Sequence, residues 1–195
     1  MVVVTIVIAL VVLCAGALVT LRLVEVNTDA GVEPAGGRPA KECAVNSEAL
    51  DAAKVGVYSG GSQNETSVKC DYGTRKGTDG ATLTTAIIEV KPVKRDSATP
   101  DPDTAFDDFA RPPSSGSPQV LDDPRFKFGN QRKLYQTQYG ELTMLMLYVR
   151  TGSTLYRIEY TSSTKGFFSD SPTPADKMKP GLETLARDMD KRARR

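Results

Sequence analysis

Apolar residues are concentrated at the start of this chain and then become periodic. The first 21 residues, MVVVTIVIALVVLCAGALVTL, carry no charged side chain, and no later stretch resembles them. As a helix, Val2 to Leu21 is long enough to cross a hydrocarbon core of about 30 Å. It lacks the polar face that a surface helix of a soluble protein presents. Further on, Ala49, Leu50 and Ala53 form one side of a short helix, which Asn46 or Ser47 caps and Gly56 ends. Tyr58 to Thr66 (YSGGSQNET) reads as loop. A strand beginning near Val68 and the β-rich run Ala81–Val90 flank a glycine-rich turn, GTRKGTDG, and predict a hairpin.

The second half predicts three more strands and a closing helix. Leu134–Tyr139 comes first. Leu142–Val149 (LTMLMLYV) is apolar on both faces, which marks a central strand covered on two sides. Thr154–Thr161 alternates, with Tyr156, Ile158 and Tyr160 on one face and Arg157 and Glu159 on the other. From about Pro180, Leu182, Leu185, Ala186 and Met189 recur at helical spacing and form one apolar stripe. Between the two sets lies Pro92–Pro124, a loop holding seven of the twelve prolines. It leaves room for a short helix at 103–110 with Asp103 as cap. The fold class is α+β: a single N-terminal transmembrane helix, then an antiparallel sheet of about five strands packed with a short N-terminal and a longer C-terminal helix.

Three regions follow: an anchor or signal segment over 1–23, a flexible stalk over 24–42 rich in Gly, Pro and small residues, and one domain over 43–195. The apolar run continues past the small-residue site Ala15-Gly16-Ala17, which favours an uncleaved anchor over a signal peptide released after that site. Arg22 argues weakly for a cytoplasmic domain under the positive-inside rule; the cysteines argue for the opposite side.

Composition mainly excludes chemistries. The net charge of +1 gives no global attraction for nucleic acid. The chain has no histidine, which removes histidine-activated nucleophiles, histidine general bases and His-ligated zinc together. Cys43 and Cys70, the two cysteines outside the apolar segment, read as one disulfide formed in an oxidising compartment. No CxxC occurs, so neither a redox motif nor a zinc knuckle is indicated.

Candidate chemistry is sparse, and no catalytic residue, metal ligand or cofactor site is assigned. Ser162-Ser163-Thr164-Lys165 matches S-x-x-K, but it ends a strand where that motif requires a helix start. Asp101, Asp103, Asp107 and Asp108 lack the glycine and terminal glutamate of a calcium loop and read as a solvated acidic segment. Asn64-Glu65-Thr66 is a sequon. The terminal Lys191-Arg192-Ala193-Arg194-Arg195 suits either a helix dipole or an anionic surface. Phe167 and Phe168 form the one candidate interaction site: they contact a partner or membrane, or they plug the sheet against the last helix.

The segments CAVNSEALDAAKVG, KCDYG, TLYRIEYTSS and PGLETLARDM, in that order, resemble a family of actinobacterial cell-envelope lipoproteins of unknown function and the related extracytoplasmic sensor-like domains. Two features depart from that family: Leu13 precedes Cys14 where lipidation wants a small residue, and Tyr72 stands where a tryptophan is frequent. The resemblance implies an extracytoplasmic position at the cell membrane and an α+β fold, with no known reaction. The expected function is a membrane-anchored, non-catalytic extracytoplasmic domain that binds an envelope protein or small ligand. The alternatives are an accessory or sensor subunit of a membrane complex, a form secreted after signal cleavage, and a carboxylate-dependent cell-wall hydrolase.

Overall fold

The computed structural model describes residues 2–28, 31–76, 81–93, 101–114 and 116–194. Parts of several expected features lie outside these residues: Met1 of the anchor segment, residues 29–30 of the stalk, residues 77–80 of the glycine-rich turn, residues 94–100 and 115 of the proline-rich segment, and Arg195.

In helix α1, Val2–Thr28, the stretch Ile6–Glu25 is not buried in the domain and is long and apolar enough to span a bilayer as an anchor or to serve as a signal. Helix α2 spans Ser47–Ala52, and the Asn46 side chain caps it by accepting from the Glu48 amide. The chain leaves α2 through Lys54, which takes φ 58°, the left-handed conformation expected of a C-terminal glycine.

Eight strands follow. They are β1 Val57–Gln63, β2 Val68–Gly73, β3 Thr82–Pro92, β4 Gln119–Val120, β5 Gln131–Tyr139, β6 Leu142–Thr151, β7 Thr154–Thr164 and β8 Ser171–Pro172. They form one antiparallel sheet in the order β1-β2-β3-β7-β6-β5-β4, with β8 pairing the end of β7. The five expected strands are β2, β3, β5, β6 and β7, and the sheet exceeds that count by three. Residues 58–63 of the expected loop 58–66 belong to β1 instead: the strand bulges between Tyr58 and Gly60, and Gly61 lies so close to the Lys69 carbonyl that only glycine fits. Strands β4 and β8 are two residues each, too short for any alternation to register.

Helix α3 spans Pro102–Phe109, one residue earlier than expected, and its cap is Asp101 because Pro102 occupies the first helical position. A 3-10 turn, Pro124–Phe126, precedes β5. Helix α4 spans Ala175–Ala193, so Pro180 lies inside the helix rather than opening it. Burial of Met178, one turn before the stripe beginning at Leu182, holds that extra first turn on the core.

Both faces of the sheet are covered. On one face, Ile88, Leu145, Leu147, Tyr156 and Ile158 pack against Leu182, Leu185 and Met189 of α4, together with α2 and the Cys43–Cys70 bridge. The bridge spans a Cα–Cα distance of 5.9 Å, and both cysteines are fully buried. On the other face, Tyr135, Met146, Tyr148 and Leu155 pack under Phe106 and Ala110 at α3. Strand β6 therefore meets a core on each side, as its unbroken apolar pattern requires.

The expected stalk holds more structure than its composition suggests. Helix α1 runs on to Thr28. The Val32 amide donates to the Thr74 carbonyl at 2.8 Å, and the Ala35 amide donates to the Tyr58 carbonyl at 2.9 Å. Val32 also packs on Gly73, where an added Cβ would stand only 2.6 Å from its side chain.

Candidate functional site

The acidic residues of the proline-rich segment are paired. Asp103 meets Arg150 of β6 at 2.7 Å, and Asp107 meets Lys133 of β5 at 3.0 Å. These contacts tie α3 across the sheet, and Asp101 is used as its cap. Asp108 meets Arg111 at 2.6 Å, just past the helix. Among the described residues, no group of three His, Cys, Asp or Glu side chains gathers to hold a metal ion.

Fixing α3 over one half of this face leaves a groove on the other half. One section, of about 460 Å³, lies between Ala105, Asp108 and Phe109 of α3 and Glu89, Leu155 and Arg157 of the strands. A second, of about 400 Å³, lies beyond Phe109, between the segment Arg111–Ser114 and the side chains Tyr139, Met144 and Met146. Phe109 and Arg157 line both sections, which are neighbours on this face.

Arg157 is the electrostatic centre of this groove. Cross-strand pairing sets it opposite Glu89 on β3 and Tyr148 on β6. Its guanidinium meets the Glu89 carboxylate at 2.8 Å, while its Nε is buried without a hydrogen-bond partner. Burial pushes the neighbouring Tyr148 hydroxyl, which donates to the Met146 sulfur, above its usual range, and the nearby positive charge of Arg157 opposes that rise. The phenol is therefore neutral at physiological pH, and the groove carries the Arg157–Glu89 pair with Lys91 in the first section and Glu159 in the second. Its walls are Phe109, Met144, Met146 and Leu155, a surface rich in flexible and aromatic side chains. Three carboxylates, Glu65, Glu89 and Asp108, reach the first section. Arg157 holds Glu89, and Arg111 holds Asp108.

The other sequence candidates take defined places. Ser162 lies within β7, buried, with its hydroxyl shared between Thr84 at 3.2 Å and Thr173 at 2.9 Å, so the S-x-x-K serine is part of a strand network. Asn64 closes the β1–β2 turn, its side-chain oxygen accepting from the amides of Thr66 and Ser67. Arg192 and Arg194 pair with Asp188 and Asp190, each at 2.8 Å, within the last turns of α4.

Phe167 and Phe168 stand edge to face with ring centroids 4.8 Å apart. They do not plug the sheet against α4: Phe168 is 93% exposed and Phe167 is half-buried. Their loop lies beside α1. The Arg22 Nε donates to the Phe167 carbonyl at 3.1 Å, and another guanidinium nitrogen donates to the Gly166 carbonyl at 3.4 Å.

Alternation along β7 puts Arg157 on the outward face without indicating what covers it. The signal that marks the groove is the apolar pattern of β6, which demands a second covering element, together with the short helix after Pro102.

No family model, curated protein or solved structure matches the chain. An N-terminal apolar helix followed by a buried disulfide points to the secretory pathway and an extracytoplasmic location.

Proposed function

We propose that α1 is an uncleaved anchor that holds the domain on the extracytoplasmic face of the cell membrane, and that the domain binds an envelope protein segment or small ligand without transforming it. The resemblance to actinobacterial envelope lipoproteins and sensor-like domains agrees with this reading. The observation that carries it is the groove beside α3. Arg157 lines a channel walled by Phe109, Met144 and Met146, and its buried Nε has no hydrogen-bond partner. A ligand carrying a hydrogen-bond acceptor beside an apolar group satisfies Arg157 and covers those side chains at once.

Site-specific photocrosslinking in native membranes tests the proposal. A crosslinker at Met144 is expected to capture a discrete adduct, Arg157→Met is expected to abolish it, and a crosslinker at Val120 on β4 is expected to give none. Equal labelling from Met144 and Val120, or an adduct indifferent to Arg157→Met, overturns it.

A further inference from the structure

We propose that the Gly166-Phe167-Phe168 loop is a second membrane contact, with the Phe168 ring seated at the boundary between lipid headgroups and acyl chains. The inference rests on α1 acting as an anchor, and it adds a site on the folded domain itself.

Arg22 is the first charged residue after the apolar run, so in a spanning α1 it marks the level of the headgroups. Its side chain reaches the carbonyls of Gly166 and Phe167. The loop therefore sits at that same level. A ring 93% exposed, with Phe167 edge to face beside it and one residue beyond a backbone tied to the headgroup layer, is within reach of the acyl boundary. Aromatic side chains concentrate at that depth.

A second tie fixes the same end of the sheet toward the membrane. Val32, shortly after α1, pairs with Arg75 and bonds to Thr74, just past the end of β2. Strand register places Gly73 beside Thr85 and Thr82 beside Thr164, the residue preceding Lys165 and the loop. Two separate stretches after the bilayer thus meet the same edge of the domain. Lys165 and Lys76 lie at this edge, where anionic headgroups favour cations. The first section of the groove lies toward the opposite end, since Leu155 is nine residues from Thr164 along β7, about 30 Å at the rise of an extended strand, whereas the second section reaches back to Met144, opposite Thr161.

The chain contains no tryptophan, so Phe168→Trp supplies a single reporter at the loop. Val120→Trp supplies a control at another exposed site, 71% accessible and midway along the sheet. The full chain is reconstituted in vesicles of phosphatidylcholine and phosphatidylglycerol, and flotation is measured first. With F168W, blue-shifted emission is expected, together with loss of intensity when the phosphatidylcholine is brominated near the top of its acyl chains. With V120W, neither change is expected. Chains that float but show water-exposed, unquenched F168W emission overturn the loop contact and leave the anchor standing. Equal quenching of F168W and V120W also overturns it. Failure to float overturns the anchor and the loop contact together.

Discussion

Gly181 of α4 lies against Tyr160 of β7 so closely that a Cβ at Gly181 would overlap the phenolic oxygen. That oxygen donates a 2.6 Å hydrogen bond to the Ala53 carbonyl at the end of α2. Three elements converge at one point, and the absent side chain of Gly181 permits it. Gly181→Ala is expected to destabilise the fold by about 2 kcal/mol, the usual cost of overpacking a dense core. Chemical denaturation of the full chain in detergent reads this. A smaller penalty is expected when Tyr160→Phe is already present, because the clashing hydroxyl is gone.

The Cys43–Cys70 bridge closes a loop with a sequence separation of 27. Breaking it as Cys43→Ala/Cys70→Ala is expected to cost about 3.5 kcal/mol in the chain-entropy model. The Tyr72 hydroxyl donates to the Cys43 carbonyl at 2.9 Å, and burial pushes that hydroxyl up to about 12. Absorbance titration of the folded chain should show late-ionising tyrosines, Tyr72 with Tyr148 and Tyr156, and one fewer in the double alanine variant if the site opens.

Lys54 occupies a left-handed conformation that costs a side-chain-bearing residue about 1 kcal/mol. Lys54→Gly removes that cost, so a stability gain of up to about 1 kcal/mol is expected, reduced by the larger entropy of the unfolded glycine. A rise in denaturation midpoint at unchanged slope would register it.

Asp123 joins the 3-10 turn to α4. Its carboxylate receives two side-chain hydrogen bonds from Arg125, at 3.0 and 2.7 Å, and lies 3.5 Å from Lys179. Arg125 chiefly holds the acid far below its ordinary value of 3.8. The unfolded carboxyl therefore binds its proton before the folded one does. The stabilisation is complete above the ordinary value and is lost as pH falls toward the folded one. Asp123→Asn is expected to cost about 1 kcal/mol at neutral pH. Denaturation curves of variant and parent should converge on acidification below about pH 4.

The sequence revealed elements where one physical signal dominated. Alternation at Tyr156, Ile158 and Tyr160 located β7, and the face it assigned is the one against α4. The two-sided apolar run located β6. Where signals conflicted, the reading failed. Gly60 and Gly61 read as loop because their β role depends on a bulge and on the nearby Lys69 backbone. Pro180 read as a helix start because proline favours that position, whereas packing of Met178 carries the helix further back. The groove was hidden for a related reason. Periodicity gives the face on which Arg157 lies, but only tertiary pairing gives what crosses that face. The partners of Asp103 and Asp107 are 47 and 26 residues away along the chain.

The bulge in β1 has a consequence beyond local geometry. It interrupts one rim of the sheet, while on the other rim β4 covers the middle of β5 and leaves Arg132 and Lys133 nearby. Neither border offers a long, flat, uncharged ladder of open amides to a neighbouring molecule. If α1 anchors the chain as proposed, encounters between copies in two dimensions are frequent, and irregular borders of this kind discourage strand-to-strand aggregation there.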